Sequence, residues 1–187
     1  MELRQLNATY VPEEDRILLR ASFGADDDLQ EIRAWLTRRL VKTLWPGMMQ
    51  ALETQVALDR PQVAHASTEI VSMEHEATVT DLRTRGKFDQ PFSAENHRLP
   101  LGEQPIVLIT TQIALEPQQA PRLQFTSARN GSFEFALNPA MLHGLCILLQ
   151  ESVAQADWDM ALRLPGDAAI LWDEDPELAG SPQRLLN

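Results

Sequence analysis

Two stretches of this chain repeat one pattern of strand, helix cap and apolar stripe at a constant offset. In the first, Ile32-Arg33-Ala34-Trp35-Leu36 alternates as a strand does, and Thr37 stands before Leu40, Val41, Leu44, Met48 and Leu52. In the second, Phe133-Glu134-Phe135-Ala136-Leu137 alternates, and Asn138 stands before Met141, Leu142, Leu145, Leu149 and Val153. A period of two that gives way to spacings of three and four predicts a strand running into an amphipathic helix. Thr37 and Asn138 are the residue types whose side-chain oxygens cap a helix start. Few architectures accommodate that sequence of events twice.

The surroundings of each copy extend the pattern. Residues 3–10 suit a strand ending at Val11, and Pro12-Glu13-Glu14-Asp15 supplies turn chemistry. Ile17, Leu19, Ala21 and Phe23 alternate with more polar neighbours, Gly24 to Asp28 turns the chain, and residues 30–36 return. Such a three-stranded meander needs a helix on one face to bury its apolar side. Pro46 lies inside the first helical stripe, where it removes a backbone donor and crowds the preceding turn. A kink or break near residues 42–46 is expected, with Trp45 packed into the bend.

Residues 58–66, with Pro61, read as a linker. Over 67–85, Val71, His75, Val79 and Leu82 share a helical face, although Ala77-Thr78-Val79-Thr80 also suits a strand. Helix is the expectation here, ended by Gly86 and followed by an extended loop to residue 104. Ile106 to Leu115 is apolar on both faces and predicts a central strand. Leu123 and Phe125 alternate along the next, Asn130-Gly131 marks a hairpin turn, and Pro139 occupies the first position of the second helix.

These elements place the chain in the α+β class. Tandem strand–strand–strand–helix units form a mainly antiparallel sheet with helices packed on one side and an extra linking helix. Joining the meanders edge to edge covers strand edges that would otherwise lie open. One pseudo-symmetric domain over 1–164 is expected, with units at about 1–57 and 105–159 and the linking helix and loop at about 58–104. Residues 165–187 read as a flexible acidic tail. Homodimerisation through the remaining edges or helices follows from the same edge chemistry. In element order the chain is similar to repeat proteins of the PUR type, in which strands followed by a helix recur. The usual repeat of that type has one strand more, and the resemblance implies binding of single-stranded nucleic acid.

Charge and composition narrow the classes of function. The net charge is −11, and residues 157–187 hold seven acids against two bases. An acidic surface repels polyphosphate at long range, so nucleic acid is an unfavoured partner. The N-terminus lacks a basic segment followed by an apolar one, and no apolar run approaches the ~20 residues of a membrane span. A cytoplasmic protein without membrane contact is expected. A single cysteine, Cys146, forms no intrachain disulfide or CxxC pair, and it lies among leucines as a small hydrophobe.

No catalytic motif is complete. His75-Glu76 begins like the zinc-protease signature HExxH, but Val79 stands where the second histidine must ligate. His65, His97 and His143 match no ligand spacing, and no metal or cofactor is expected. The serines lack a GxSxG elbow, and glycine-rich phosphate loops are absent. Arg38, Arg39 and Lys42 crowd the first turn of the first helix, where the macrodipole favours anions, with Arg33 just before them. These four are candidates for binding a partner or an anion unless Glu31 or other acids neutralise them. Trp158 reads as a packing lid, and Ile170, Leu171 and Trp172 in the acidic tail are candidates for docking onto a partner or the domain itself.

Three functions are consistent with these residues. The first is a non-catalytic protein-interaction module, an adaptor or assembly factor whose partner is another protein or a second copy. The second is anion or single-stranded nucleic-acid binding at the basic start of the first helix. The third is an enzyme whose site is assembled around His75.

Overall fold

The alternating and helical patterns become nine principal elements in the computed structural model, which describes residues 3–24, 28–85, 92, 97–129 and 131–166. They are β1 (Leu3–Val11), β2 (Arg16–Phe23), β3 (Gln30–Leu36), α1 (Arg38–Asp59), α2 (Ser67–Thr84), β4 (Ile106–Ala114), β5 (Arg122–Ser127), β6 (Gly131–Ala136) and α3 (Pro139–Ala156). The strands form one six-stranded sheet in sequence order. All neighbours are antiparallel except β3 and β4, which run parallel and meet only at Ala34 opposite Ile106 and Trp35 opposite Val107. The α+β class is thus the one the chain adopts. Ile170, Leu171 and Trp172, with the rest of 167–187, lie outside the described residues, as do Gly86 and Asn130.

The sheet does not stay flat. Phe23 of β2 and Phe135 of β6 are four strands apart, which in a flat sheet is about 19 Å at ~4.8 Å per strand. Their ring centroids are 5.8 Å apart. The sheet therefore curls until the inner faces of its two halves share one core, with Phe125 and Phe135 both fully buried there. At the end of β2, Gly24 has φ +102°, and a Cβ there would sit 2.3 Å from the Asp28 carbonyl oxygen, so no side chain fits.

The helices cover the inner face in a crossed arrangement. Thr37 accepts from the Leu40 amide at 3.2 Å and Asn138 from the Met141 amide at 2.8 Å, so both caps act as their residue types require. Each helix then leaves its own meander: α1 packs on β4 and α3 packs on β1. Gly47 of α1 passes close to Ile113. At the other end, Trp158 meets the Tyr10 ring edge-on and donates from Nε1 to Asp15 Oδ1 at 2.8 Å. The lid expected of Trp158 is there, and it closes over the opposite half of the molecule.

The expected break at Pro46 does not occur: α1 runs continuously from Arg38 to Asp59, through Pro46. Pro46 and Lys42 both face solvent, so the carbonyl that loses its intrahelical donor can bond to water, while Leu44, Trp45 and Met48 keep the buried stripe in register. Trp45 is buried and donates from Nε1 to the Arg163 carbonyl at 2.8 Å, and Gln150 donates to the Leu162 carbonyl at 2.8 Å. The chain after α3 is thereby fastened back onto the helices, with Met160, Leu162 and Leu164 against the core.

Because Pro46 is exposed and its helix intact, Pro46→Ala restores a hydrogen bond without disturbing packing. The variant is expected to gain about 1–3 kcal/mol in urea unfolding, and an unchanged or lowered stability would show that the proline serves the fold.

Candidate functional site

The sheet has a second face that the helices do not cover. Inward side chains are Ile17, Leu19, Ala21 and Phe23 on β2 and Ile32, Ala34 and Leu36 on β3, all buried. Alternation puts Leu18, Arg20 and Ser22 outward on β2, opposite Trp35, Arg33 and Glu31 on β3. Trp35 is in turn opposite Val107. Leu18, Trp35 and Val107 thus line up across three strands, continued by Ile109 at the bulge of β4. Val107 is 38% exposed and Ile109 52%. The central position of β4 agrees with its sequence, but its outer face is uncovered.

Beside this apolar row, the register sets Arg20 directly against Arg33, a like-charge pair that would by itself destabilise the sheet. Glu31 resolves it. Its Oε1 accepts from Arg20 Nε at 2.7 Å and from Arg33 Nε at 2.8 Å, and its Oε2 accepts from Arg33 Nη2 at 3.3 Å. Burial alone would raise the Glu31 pKa, but the Arg33 and Arg20 hydrogen bonds outweigh it and hold the carboxyl at about 2. The Phe92 ring lies 4.1 Å from the Arg20 guanidinium and edge-on to His97, whose Nδ1 is 3.5 Å from Glu31 Oε2. Backbone bonds from Arg98 to Leu29 and from Glu31 to Arg98, both 2.8 Å, hold that segment along β3. One end of the outer face is closed, and the end with Trp35 is open.

The four basic candidates do not act together. Arg33 is held by Glu31, as neutralisation by that residue would have it. Arg38 donates to the Asp159 carbonyl at 3.3 Å and lies near Asp15. The Asp15 carboxyl is held below its usual range by hydrogen bonds from Trp158 and Tyr10, and then by Arg38. Arg39 and Lys42 are exposed on α1.

His75 has a partner that no local spacing signals. Its Nδ1 is 3.3 Å from Nδ1 of His143 on α3, with the rings edge-on at 5.4 Å and both residues buried. One nitrogen must donate and the other accept, so at least the accepting ring is neutral. His143 is pushed down to about 4, first by burial and then by His75, against a smaller upward pull from Glu74. Nε2 of His143 has no hydrogen-bond partner, which favours Nδ1–H as the donor tautomer, since a bare lone pair costs less than an orphaned N–H. Burial pushes the Cys146 thiol far above its usual range. Among the described residues, no three His, Cys, Asp or Glu side chains converge as metal ligands. His75 is thus buried and packed against another imidazole.

A cleft of about 450 Å³ opens between β1, the end of α2 and the start of α3, with Phe92 on its wall. No local sequence pattern marks it, because its lining comes from elements that meet only through the crossed helix arrangement. No helix of the described structure is long and apolar enough to cross a membrane.

Comparison with protein-family models, with curated proteins and with solved structures gives no match. The likeness in element order to PUR-type repeats therefore adds nothing to the geometry.

The histidine pair makes stability depend on pH. The unfolded His143 titrates near 6.5 and the folded one near 4, so unfolding takes up a proton between those values. Stability is complete above about pH 6.5 and falls as the pH approaches 4, by about 3 kcal/mol at most. Urea unfolding from pH 7.5 to 4.5 should show that loss in the native chain and a flatter profile in His143→Gln. Equal slopes would mean that another group carries it.

Proposed function

We propose that this protein is a non-catalytic interaction module, an adaptor or assembly factor that takes another protein on the outer face of its sheet. The observation that carries this is the open row of Leu18, Trp35, Val107 and Ile109. Aromatic residues in such a position are typical anchors, because they bury much area while losing little rotamer freedom. At the closed end of this face Glu31 already holds Arg20 and Arg33, and Arg16 is paired with Glu14. The complementary partner is therefore an extended segment with large apolar side chains. A cytoplasmic setting suits this role.

The support is also negative for the alternatives. At the basic start of α1, Arg38 is bonded to the Asp159 carbonyl, and His75 packs in the interior against His143. Trp35 among guanidiniums is chemistry that a single-stranded oligonucleotide can use as well, but a net charge of −11 opposes its approach.

The test begins with affinity capture from cytoplasm and continues with the captured protein purified and titrated against the full chain. Trp35→Ala and Ile109→Glu are expected to weaken that complex by roughly tenfold or more, about 1.4 kcal/mol, with the thermal transition retained. Binding that survives both substitutions but is lost on removal of residues 167–187 would transfer the role to the tail and its Ile170, Leu171 and Trp172. Self-association lost in the same variants would make the partner a second copy. Saturable oligonucleotide binding at low salt, lost in Arg38→Glu/Arg39→Glu, would reinstate the nucleic-acid alternative.

A further inference from the structure

We propose that the cleft between β1, α2 and α3 binds a small amphipathic anion: a carboxylate or sulfonate on a hydrocarbon or aromatic body. This is a second site, separate from the open face of the sheet. At about 450 Å³ the cleft falls within the range of small-molecule pockets. Its wall is apolar where the elements meet, with Leu6 from β1, Leu82 from α2, and Met141 and Leu145 from α3. Its charged groups are Arg4, Arg85 and Asp81, two guanidiniums against one carboxylate on a chain whose net charge is −11. Arg85 Nε is paired with Asp81 Oδ1 at 2.8 Å in an exposed ion pair at the rim, and Arg4 Nε donates to the Gly24 carbonyl at 2.8 Å. An apolar body with one negative end matches this lining, because the body leaves water while its charge meets a guanidinium at the rim.

Gly144 is an independent indication. It lies inside α3, where glycine is the poorest helix former after proline. Its backbone is not in the left-handed region, and a Cβ would meet nothing nearer than Leu82 Cδ1 at 3.7 Å, an ordinary contact. Neither conformation nor packing demands glycine there. What its missing side chain does is keep the wall of the cleft flat between Met141, Leu145 and Leu82.

The test uses the full chain with two probes of equal length, decanoate and decanol, followed by calorimetric titration. Decanoate is expected to saturate a single site and decanol to bind at least roughly tenfold more weakly. Gly144→Leu fills the cleft and should weaken decanoate by roughly tenfold or more. Gly144→Ala should raise Tm by about 2–4 °C while weakening decanoate to a lesser extent, so loss of binding is separated from loss of fold. Arg85→Gln should weaken decanoate and leave decanol unchanged. If Gly144→Leu does not fold, Gly144→Ala and Arg85→Gln decide. The proposal is overturned if decanoate shows no saturable site, if decanol binds equally well, or if the Gly144 variants leave decanoate binding unaltered.

Discussion

A three-stranded meander cannot cover its own apolar face, and here each helix crosses to a strand of the other meander. α3 packs on β1, and α1 packs on β4. Neither half has a closed core alone, because the helix that would close it is supplied across the molecule. The direct join between the halves is small, two register positions between β3 and β4. The exchange of helices therefore carries the association, and the curl that brings Phe23 to Phe135 is what lets both exchanged helices reach their strands. Everything else, including the cleft and the position of the histidine pair, depends on that crossing.

The crossing also leaves one face of the sheet without cover. A helix-free face must solve its own electrostatics, and this one does so with a single buried carboxylate. Glu31 holds two arginines that the register forces into opposition, and the charge-assisted bonds exceed the cost of burying it. The consequence is a face that is electrostatically settled at one end, under Phe92 and His97, and apolar at the other. Phe92 takes part in both regions, since its ring lies against Arg20 and the residue also lines the cleft.

Much of the fold was legible because its signals are local. The strands and helix of each meander follow from alternation and stripe, and the caps Thr37 and Asn138 bond where their residue types predict. The helical face over Val71 and His75 became α2 despite its threonines, since those lie on the solvated side. Pro46 was misleading. A proline costs a helix one donor, but the sequence does not say whether the freed carbonyl faces water, and here it does. Of the candidate site, Arg33 was legible as a cation beside Glu31 but not as one clamped by it. The pairing of His75 with His143 and the cleft were invisible, because residues 68 positions apart in the chain leave no mark in any local window.

The class of fold, the order of its elements and the two capped helices follow from local sequence, since hydrophobic period, turn residues and caps act over a few residues at a time. Which strand each helix packs on, how far the sheet curls, and which polar groups end buried together arise only on folding. Those choices depend on the shape and volume of apolar surfaces from distant parts of the chain, which must fill one core at nearly crystalline density. The open row at Trp35, the clamp at Glu31 and the cleft beside Gly144 are all products of that packing.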